Sequence, residues 1–291
     1  MLNLLKADLY RITRPRGLRG SLRQYGLAIL LVYAFVFAMF ALLNTPGLLY
    51  DAGDPSAASY LAFTSPTQCL SEMTLGIVPL CAAYMAVELG LSDFKSGYIR
   101  SVVSARRGRL SYIGEKILMS GVIAAIVIVV ASAIVLAASC IEGATFAQAD
   151  TPASIATWFL GMWLNCWALG ALSLILVYAT RISPVSYIAS FCFCMGTVPQ
   201  TLMGIARAGS ILPAIKPIAP VLETLATWMP TSALSSLEQG GSTLLGVGID
   251  LFNPSSQALA INPTAQIILT GIIWIALASP LILAIARRHD I

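Results

Sequence analysis

The chain has 291 residues, of which 58% are hydrophobic and only 10% are charged. A soluble domain carries about 25% charged residues, so this composition indicates an integral membrane protein and excludes a large soluble domain. The net charge of +4 reflects cations that flank apolar runs, which argues against nucleic-acid binding. We therefore predict an all-α polytopic membrane protein.

Residues 1–24 are predicted to form a cytoplasmic amphipathic head, an elbow helix before the first span. Leu2, Leu5, Leu9 and Ile12 recur at helical spacing with charged residues between them. A helix of this kind lies along the inner membrane surface, and the alternative is a frayed basic tail. The charged region is too long for a cleavable signal peptide.

Residues 25–291 are predicted to form one transmembrane domain of six helices. A bilayer core needs about 20 apolar residues per helix, and six segments meet this requirement. The predicted spans are residues 25–43, 70–89, 117–138, 155–180, 185–206 and 265–286. The second is the least regular, because Glu72, Pro79 and Glu88 lie within it or at its ends. We expect Pro79 to kink it.

The positions of Lys and Arg predict the orientation of the chain. If the six spans alternate, all cations except Arg207 and Lys216 fall on one face. By the positive-inside rule that face is cytoplasmic, so both termini and residues 90–116 are predicted to lie inside. A protein with four or five spans would instead scatter its cations over both faces.

Residues 207–263 are predicted to form an extracellular segment between spans five and six. Prolines interrupt its apolar first half, which is therefore too irregular to cross a membrane. One face of a short helix is marked by Val221, Leu222, Leu225 and Trp228. We expect interfacial or re-entrant helices here that cap the bundle from outside.

The sequence offers no catalytic constellation. His289 is the one histidine, which argues against a catalytic triad or a His-rich metal site. No lysine follows a glycine, whereas a Walker A loop needs Gly-Lys to reach the phosphates. We therefore expect no enzyme activity, cofactor or metal in this chain, and any ATP would be bound by a separate subunit.

Few ionisable residues lie within the predicted spans, which disfavours an ion-coupled carrier. Asn165 and Gln200 are the main polar side chains at depth, and we expect them to hydrogen-bond between helices rather than bind a substrate. Trp158, Trp163 and Trp167 are expected to form a lipid-facing aromatic belt. The alternative for these tryptophans is a substrate-facing aromatic wall.

The six cysteines have no Cys-x-x-Cys spacing. Those in the middle of spans are expected to act as packing residues. Cys69 and Cys140 both fall at predicted outer ends of spans, and a disulfide between them is a hypothesis that the sequence leaves open.

The densest charge lies between spans two and three, in residues 93–116 (DFKSGYIRSVVSARRGRLSYIGEK). We expect this block to lie in water against the membrane. An acid, a glycine, an apolar residue and a base are followed by a short apolar stretch, an arginine, an aromatic residue and a lysine. The residues with this pattern are Asp93, Gly97, Ile99, Arg100, Val102, Val103, Arg109, Tyr112 and Lys116.

This pattern resembles the inner loop of the ABC-2 type ABC transporter permease family, and in particular its six-span exporter permeases related to bacteriocin and lantibiotic immunity. The basic head, the six predicted spans and the long outer segment extend the resemblance over the whole chain. Two departures stand out: Gly108 occupies a position that is usually Ser, and Arg106 replaces a common Gly.

The resemblance implies that this loop is a coupling helix that docks in a groove of an ABC ATPase subunit. Phe94, Tyr98, Ile99, Val102 and Val103 supply an apolar stripe suited to such a groove. The neighbouring arginines would pair with acids on the partner or with anionic lipid. The alternative is a positive-inside anchor without a docking role, which explains the cations but not the stripe.

We therefore expect the permease subunit of an ABC exporter in the bacterial plasma membrane, working with a second permease copy or a related permease. The implied substrate is hydrophobic or amphipathic, such as a peptide, a lipid or a drug. The alternative is a non-transport membrane scaffold or sensor subunit that docks a different cytoplasmic partner.

Overall fold

A computed structural model of the protein describes residues 2–13, 22–43, 62–96, 108–209, 216–238, 240–241 and 262–288. The first half contains helices α1 (Leu2–Thr13), α2 (Leu22–Leu43), α3 (Pro66–Thr74), α4 (Ile77–Ser96) and α5 (Gly108–Ile141). The second half contains α6 (Pro152–Thr180), α7 (Ser183–Cys194), α8 (Thr197–Ala208), α9 (Ala219–Thr227), α10 (Pro230–Ser235) and α11 (Pro263–Arg288). Two short strands, β1 (Ala62–Phe63) and β2 (Thr145–Phe146), complete the described elements.

Four described helices are long and apolar enough to cross a membrane. They contain the segments Ile77–Lys95, Ser111–Ile141, Pro152–Thr180 and Pro263–Ala286. The pair α7 and α8 would provide a fifth crossing, although the two helices are bent by 63°. Helix α2 is also apolar, but its qualifying part, Gln24–Met39, is shorter. The protein is thus an all-α membrane protein with four or five candidate spans in its described part.

The predicted second and fifth spans are both interrupted. The helical pattern stops at residues 75–76 and again at residues 195–196. Each interruption begins four residues before a proline, Pro79 or Pro199. A proline cannot donate to the carbonyl four residues earlier, and its ring clashes with that carbonyl. At the predicted kink, the helix is therefore interrupted one turn before Pro79.

A glycine accompanies the proline at each interruption. Gly76 and Gly196 both lie three residues before it, and Gly196 has a positive φ of 70°. By contrast, Pro280 lies inside α11, and the residue three positions before it is Leu277. Because glycine adopts left-handed backbone conformations without steric cost, the proline and the glycine together account for the interruption at residues 195–196. At residues 75–76 the backbone of Leu75 stays in the right-handed helical region, and the proline accounts for the interruption.

Helix α6 is the centre of the bundle and packs most closely against α11. A Cβ atom built on Gly271 of α11 would lie 2.6 Å from the Cβ atom of Leu164 in α6, so the two backbones touch at this glycine. Nearby, Asn165 Nδ2 donates to the carbonyls of Gly161 at 2.9 Å and Ile267 at 3.1 Å. The prediction that Asn165 is an interhelical hydrogen-bond partner is confirmed.

The tryptophans of α6 do not form a lipid-facing belt, and that prediction is wrong. Trp158 is 2% exposed, and its Nε1 donates to Ser71 Oγ at 2.6 Å. Trp163 and Trp167 are half-buried and donate to backbone carbonyls of α5, both at 2.8 Å. Each indole therefore pairs with another helix, where its one donor replaces a hydrogen bond to water.

At one end of the bundle, two predicted outer connections meet. Strands β1 and β2 pair in parallel, and Asp150 accepts from the backbone N–H of Thr67 at 2.7 Å and from its hydroxyl at 2.9 Å. All six cysteines are free thiols. Cys69 is buried with its Sγ 3.4 Å from Ser139 Oγ, whereas Cys140 is exposed, so the hypothetical disulfide between them is not formed.

The predicted outer segment contains two short helices within its described part. The residues expected to form a helical face lie in or directly after α9, which confirms a helix there. Val221 and Leu225 are exposed, however, and Ala226 is the buried residue of α9. Residues 210–215 and 242–261 lie outside the described residues.

Replacing Gly271 with Ala should force α6 and α11 apart, because the new methyl group would overlap Leu164. We expect the free energy of unfolding in detergent to fall by about 1–3 kcal/mol, the usual cost of overpacking. Gly204→Ala in α8 is the matched control, since nothing lies within 4 Å of a Cβ atom there. If both variants unfold at the same midpoint, the close approach of the two helices is wrong.

Candidate functional site

The residues of the predicted coupling loop fall into two groups. Asp93 and Phe94 lie near the end of α4, and Lys116 lies in α5. Arg109 belongs to the first turn of α5, but its side chain is outside the described residues. Also outside the described residues are Gly97, Tyr98, Ile99, Arg100, Val102 and Val103.

The expectation that the whole block lies in water is wrong for its two ends. Asp93, Glu115 and Lys116 are each no more than 1% exposed. The reason is that α5 begins at Gly108, well before the predicted start of the third span. Its first turns therefore pack inside the bundle and carry these charged residues with them.

Three buried charged side chains and the partly exposed Arg11 form a closed ring of alternating sign, which we call the charge ring: Asp8, Arg11, Asp93 and Lys116. Arg11 lies 3.2 Å from Asp8 and 2.9 Å from Asp93. Lys116 lies 2.6 Å from Asp93 and also contacts Asp8. Each carboxylate thus touches two cations, and the ring is neutral as a whole.

Neighbouring side chains add further contacts to the charge ring. The hydroxyl of Tyr112 donates to Asp93 Oδ2, and the ammonium of Lys116 lies 5.1 Å from the centre of the Tyr112 ring. Partial burial opposes the charge of Arg11, but its bonds and proximity to Asp93 and Asp8 outweigh this and raise its pKa. Arg11 is therefore charged at all physiological pH values.

The charge ring joins three helices at one place. Asp8 and Arg11 come from α1, Asp93 from α4 and Lys116 from α5. Burying an isolated charge is very costly, so the buried Asp8, Asp93 and Lys116 need their partners on the other helices. The ring lies between the end of α4 and the first turns of α5, the two helices that residues 97–107 connect in sequence.

The contribution of α1 was not predicted, although the sequence carries a signal for it. Leu5, Asp8, Leu9 and Ile12 have the spacing of a single helical face. Asp8 therefore lies within the apolar stripe of α1 and not on its charged side. An acid in an apolar stripe indicates a buried partner, and here the partner is Lys116.

Phe94, the first residue of the proposed docking stripe, contacts its own chain. Its ring packs edge-on against Tyr178 at 5.6 Å, and the guanidinium of Arg181 lies 5.5 Å from its centre. Arg181 follows α6 with a positive φ of 56°. The connection between α6 and α7 therefore lies at the same end of the bundle as the charge ring.

The two helix interruptions meet at a cavity of about 680 Å³. Residues 75–76 line one side and residues 194–196 line another, while α8 and α10 complete the wall. Its lining includes a cation, Arg207, and an anion, Glu238, beside Ser, Thr and Met side chains. Gln200 lies exposed on this wall, not between helices. The volume falls in the range of small-molecule pockets.

Across the described ranges, no group of three or more His, Cys, Asp or Glu side chains is arranged to hold a metal ion. No model of a known protein family matches the chain. No curated protein is similar enough to it to count as a relative. The geometry of the charge ring and the cavity therefore has to support any functional conclusion.

Removing one member of the charge ring should destabilise the protein strongly. Asp93→Asn and Lys116→Met would each leave an unbalanced buried charge, and we expect a loss of about 3–5 kcal/mol in the free energy of unfolding. Lys6→Met is the matched control, because Lys6 is exposed on α1 and its loss should cost less than about 0.5 kcal/mol. Chemical unfolding in detergent measures the difference, and equal stability of K116M and K6M would contradict the burial of the ring.

Proposed function

We propose that this chain is the permease subunit of a bacterial ABC exporter, which moves a hydrophobic or amphipathic substrate with energy from a separate ATPase subunit. The observation that carries the proposal is the charge ring at the base of residues 97–107. A coupling loop is useful only if its movement reaches the membrane helices. The ring supplies that connection, because Asp93 and Lys116 pair at the two ends of the loop.

The proposed route of force runs from the loop to α4 and α5 and then to α1. Because Lys116 bridges Asp93 and Asp8, α4 cannot shift relative to α5 without disturbing α1. Phe94 and Arg181 extend the contact to the end of α6. A push by an ATPase on the loop would then move these helices as a unit, as hinge and shear motions require.

The cavity between the helix interruptions is the place where we propose that substrate is handled. Interrupted helices in membrane proteins commonly mark binding sites, since irregular backbone is tolerated where it lines a cavity. Its mixture of apolar, hydroxyl and charged side chains suits an amphipathic substrate better than a small inorganic ion.

The proposed topology has six crossings, with α2 as the first, α3 and α4 as the second, and α7 and α8 as the fifth. Both termini and the charge ring would face the cytoplasm, and the paired strands β1 and β2 would lie outside. The described contacts support the alternation, because the charge ring joins one set of helix ends and β1 and β2 join the other.

Docking is tested by placing charge in the apolar stripe. Tyr98→Asp combined with Val102→Asp should abolish co-purification with the proposed ATPase subunit, a separate protein that contains a Walker A loop. Val221→Asp is the control, since Val221 is an exposed apolar residue of α9 in the outer segment. The proposal fails if the double variant still assembles with the ATPase as the control does.

Retention of the ATPase in that experiment would leave the stripe without a docking role. The alternative of a non-transport scaffold or sensor would then gain support if a different cytoplasmic protein bound the same loop. Transport of labelled amphipathic peptide into inside-out vesicles, dependent on ATP and on the ATPase, separates the two functions.

The orientation is tested by thiol labelling of intact cells. Cys140 is exposed at the end of α5, and Cys192 is partly exposed within the apolar helix α7, which an impermeant reagent does not enter. Cys69, Cys81, Cys166 and Cys194 are buried. A membrane-impermeant maleimide should therefore label the protein at Cys140, and Cys140→Ser should remove the label. Lys6→Cys in the Cys140→Ser background is the matched control and should react only after permeabilisation. The reverse pattern would contradict a cytoplasmic charge ring.

A further inference from the structure

The charge ring has a fifth ionisable neighbour that it does not need. Glu115 lies beside Lys116 in α5 and is 1% exposed. Its Oε2 atom is 3.9 Å from Lys116 Nζ, and its Oε1 atom has no hydrogen-bond partner in the described part of the chain. Lys116 makes closer contacts to Asp93 and Asp8. Its positive charge therefore balances these two carboxylates rather than Glu115.

Counting charge shows the consequence. The four side chains of the charge ring sum to zero, and an ionised Glu115 would add an uncompensated negative charge at a buried position. It would also lie near the carboxylate of Asp8, because both side chains contact the ammonium of Lys116. Two adjacent buried carboxylates cannot both ionise without severe repulsion, and an unpaired buried charge is normally removed by a proton.

The other groups around Glu115 do not provide the missing charge. Among the described residues, α1 contributes Asp8 and Arg11, and both are already part of the neutral ring. From α4 comes Asp93, which is negative, and from α6 comes Tyr178, a buried phenol. Tyr112 on α5 itself donates its hydroxyl to Asp93.

We propose that Glu115 holds a proton in the folded protein at neutral pH and shares it with Asp8. Glu115 is thus a proton-binding site, and its O–H group donates to the Asp8 carboxylate and fastens α1 to α5. Loss of the proton places a negative charge opposite Asp8 and loosens α1. The proton therefore helps to hold α1, the helix that contributes Asp8 and Arg11 to the charge ring, against α5.

Proton binding by Glu115 predicts the direction in which pH changes the stability of the protein. An unfolded glutamate releases its proton near pH 4, whereas the folded protein retains it to higher pH. The folded state then binds more protons than the unfolded state, so stability falls as the pH rises. The unfolding equilibrium constant should increase by up to about tenfold per pH unit until Glu115 ionises, and then level off.

Two measurements on the full-length protein in lipid nanodiscs test the proposal. Infrared spectroscopy at neutral pH should show the C=O stretching band of a protonated carboxyl group, and that band should be lost in Glu115→Gln. Glu88→Gln is the matched control, because Glu88 is a partly buried acid that accepts from Tyr187, and this variant should keep the band. In unfolding experiments, Glu115→Gln should retain stability at neutral pH and lose the fall in stability that the unmodified protein shows as the pH rises above about 4.

Three outcomes would contradict the proposal. The proposal is wrong if the unmodified protein has no protonated carboxyl band at neutral pH, a result that does not depend on the folding of any variant. It is also wrong if the band persists in Glu115→Gln, or if this variant is as unstable at neutral pH as Asp93→Asn. The last result would show that Glu115 contributes as a charged group.

Discussion

The burial of charge at the base of residues 97–107 is the constraint on which the arrangement of the described helices depends. Asp93 and Lys116 are almost fully buried, so neither can keep its charge without the other. Asp8 and Arg11 complete the balance from α1. A buried ion pair is weak evidence for added stability, but its charged groups are stable only when they are placed close to each other. The charge ring therefore fixes the positions of α1, α4 and α5 relative to one another at this end of the bundle.

At the cavity, by contrast, the helical backbone is interrupted. There, Pro79 and Pro199 remove backbone hydrogen bonds, and the positive φ of Gly196 allows the chain to turn between α7 and α8. Both interruptions line the same space of about 680 Å³. The molecule thus has a tightly bonded end and a region where two membrane segments are broken. In the proposed exporter, the first would receive force from the ATPase and the second would change shape around substrate.

The sequence predicts the positions of helices well because the apolar runs are long. The predicted spans at residues 117–138, 155–180 and 265–286 all lie within single helices. Hydropathy does not show which face of a helix is buried, and this explains the error at Trp158, Trp163 and Trp167. An indole suits both a membrane interface and a helix contact that offers an acceptor, and only the fold decides between them.

The charge ring could not be predicted in full for a similar reason. Asp8 and Lys116 are far apart in the sequence, and their pairing depends on how α1 packs on α5. The spacing of Asp8 with Leu5, Leu9 and Ile12 would have indicated a buried acid, but not its partner. The interhelical hydrogen bond of Asn165 could be predicted, because an amide in the middle of an apolar helix usually bonds to a neighbouring helix.

The central claim, that the ring links α1 to the membrane helices, is tested most directly by a double-mutant cycle on Arg11 and Asp93. These side chains join α1 to α4 at 2.9 Å. The free energies of unfolding of Arg11→Met, Asp93→Asn and the double variant should be non-additive, with a coupling energy of about 0.5–3 kcal/mol. Additive losses would contradict a direct link between α1 and α4, and with it the proposed route from the loop to the rest of the bundle.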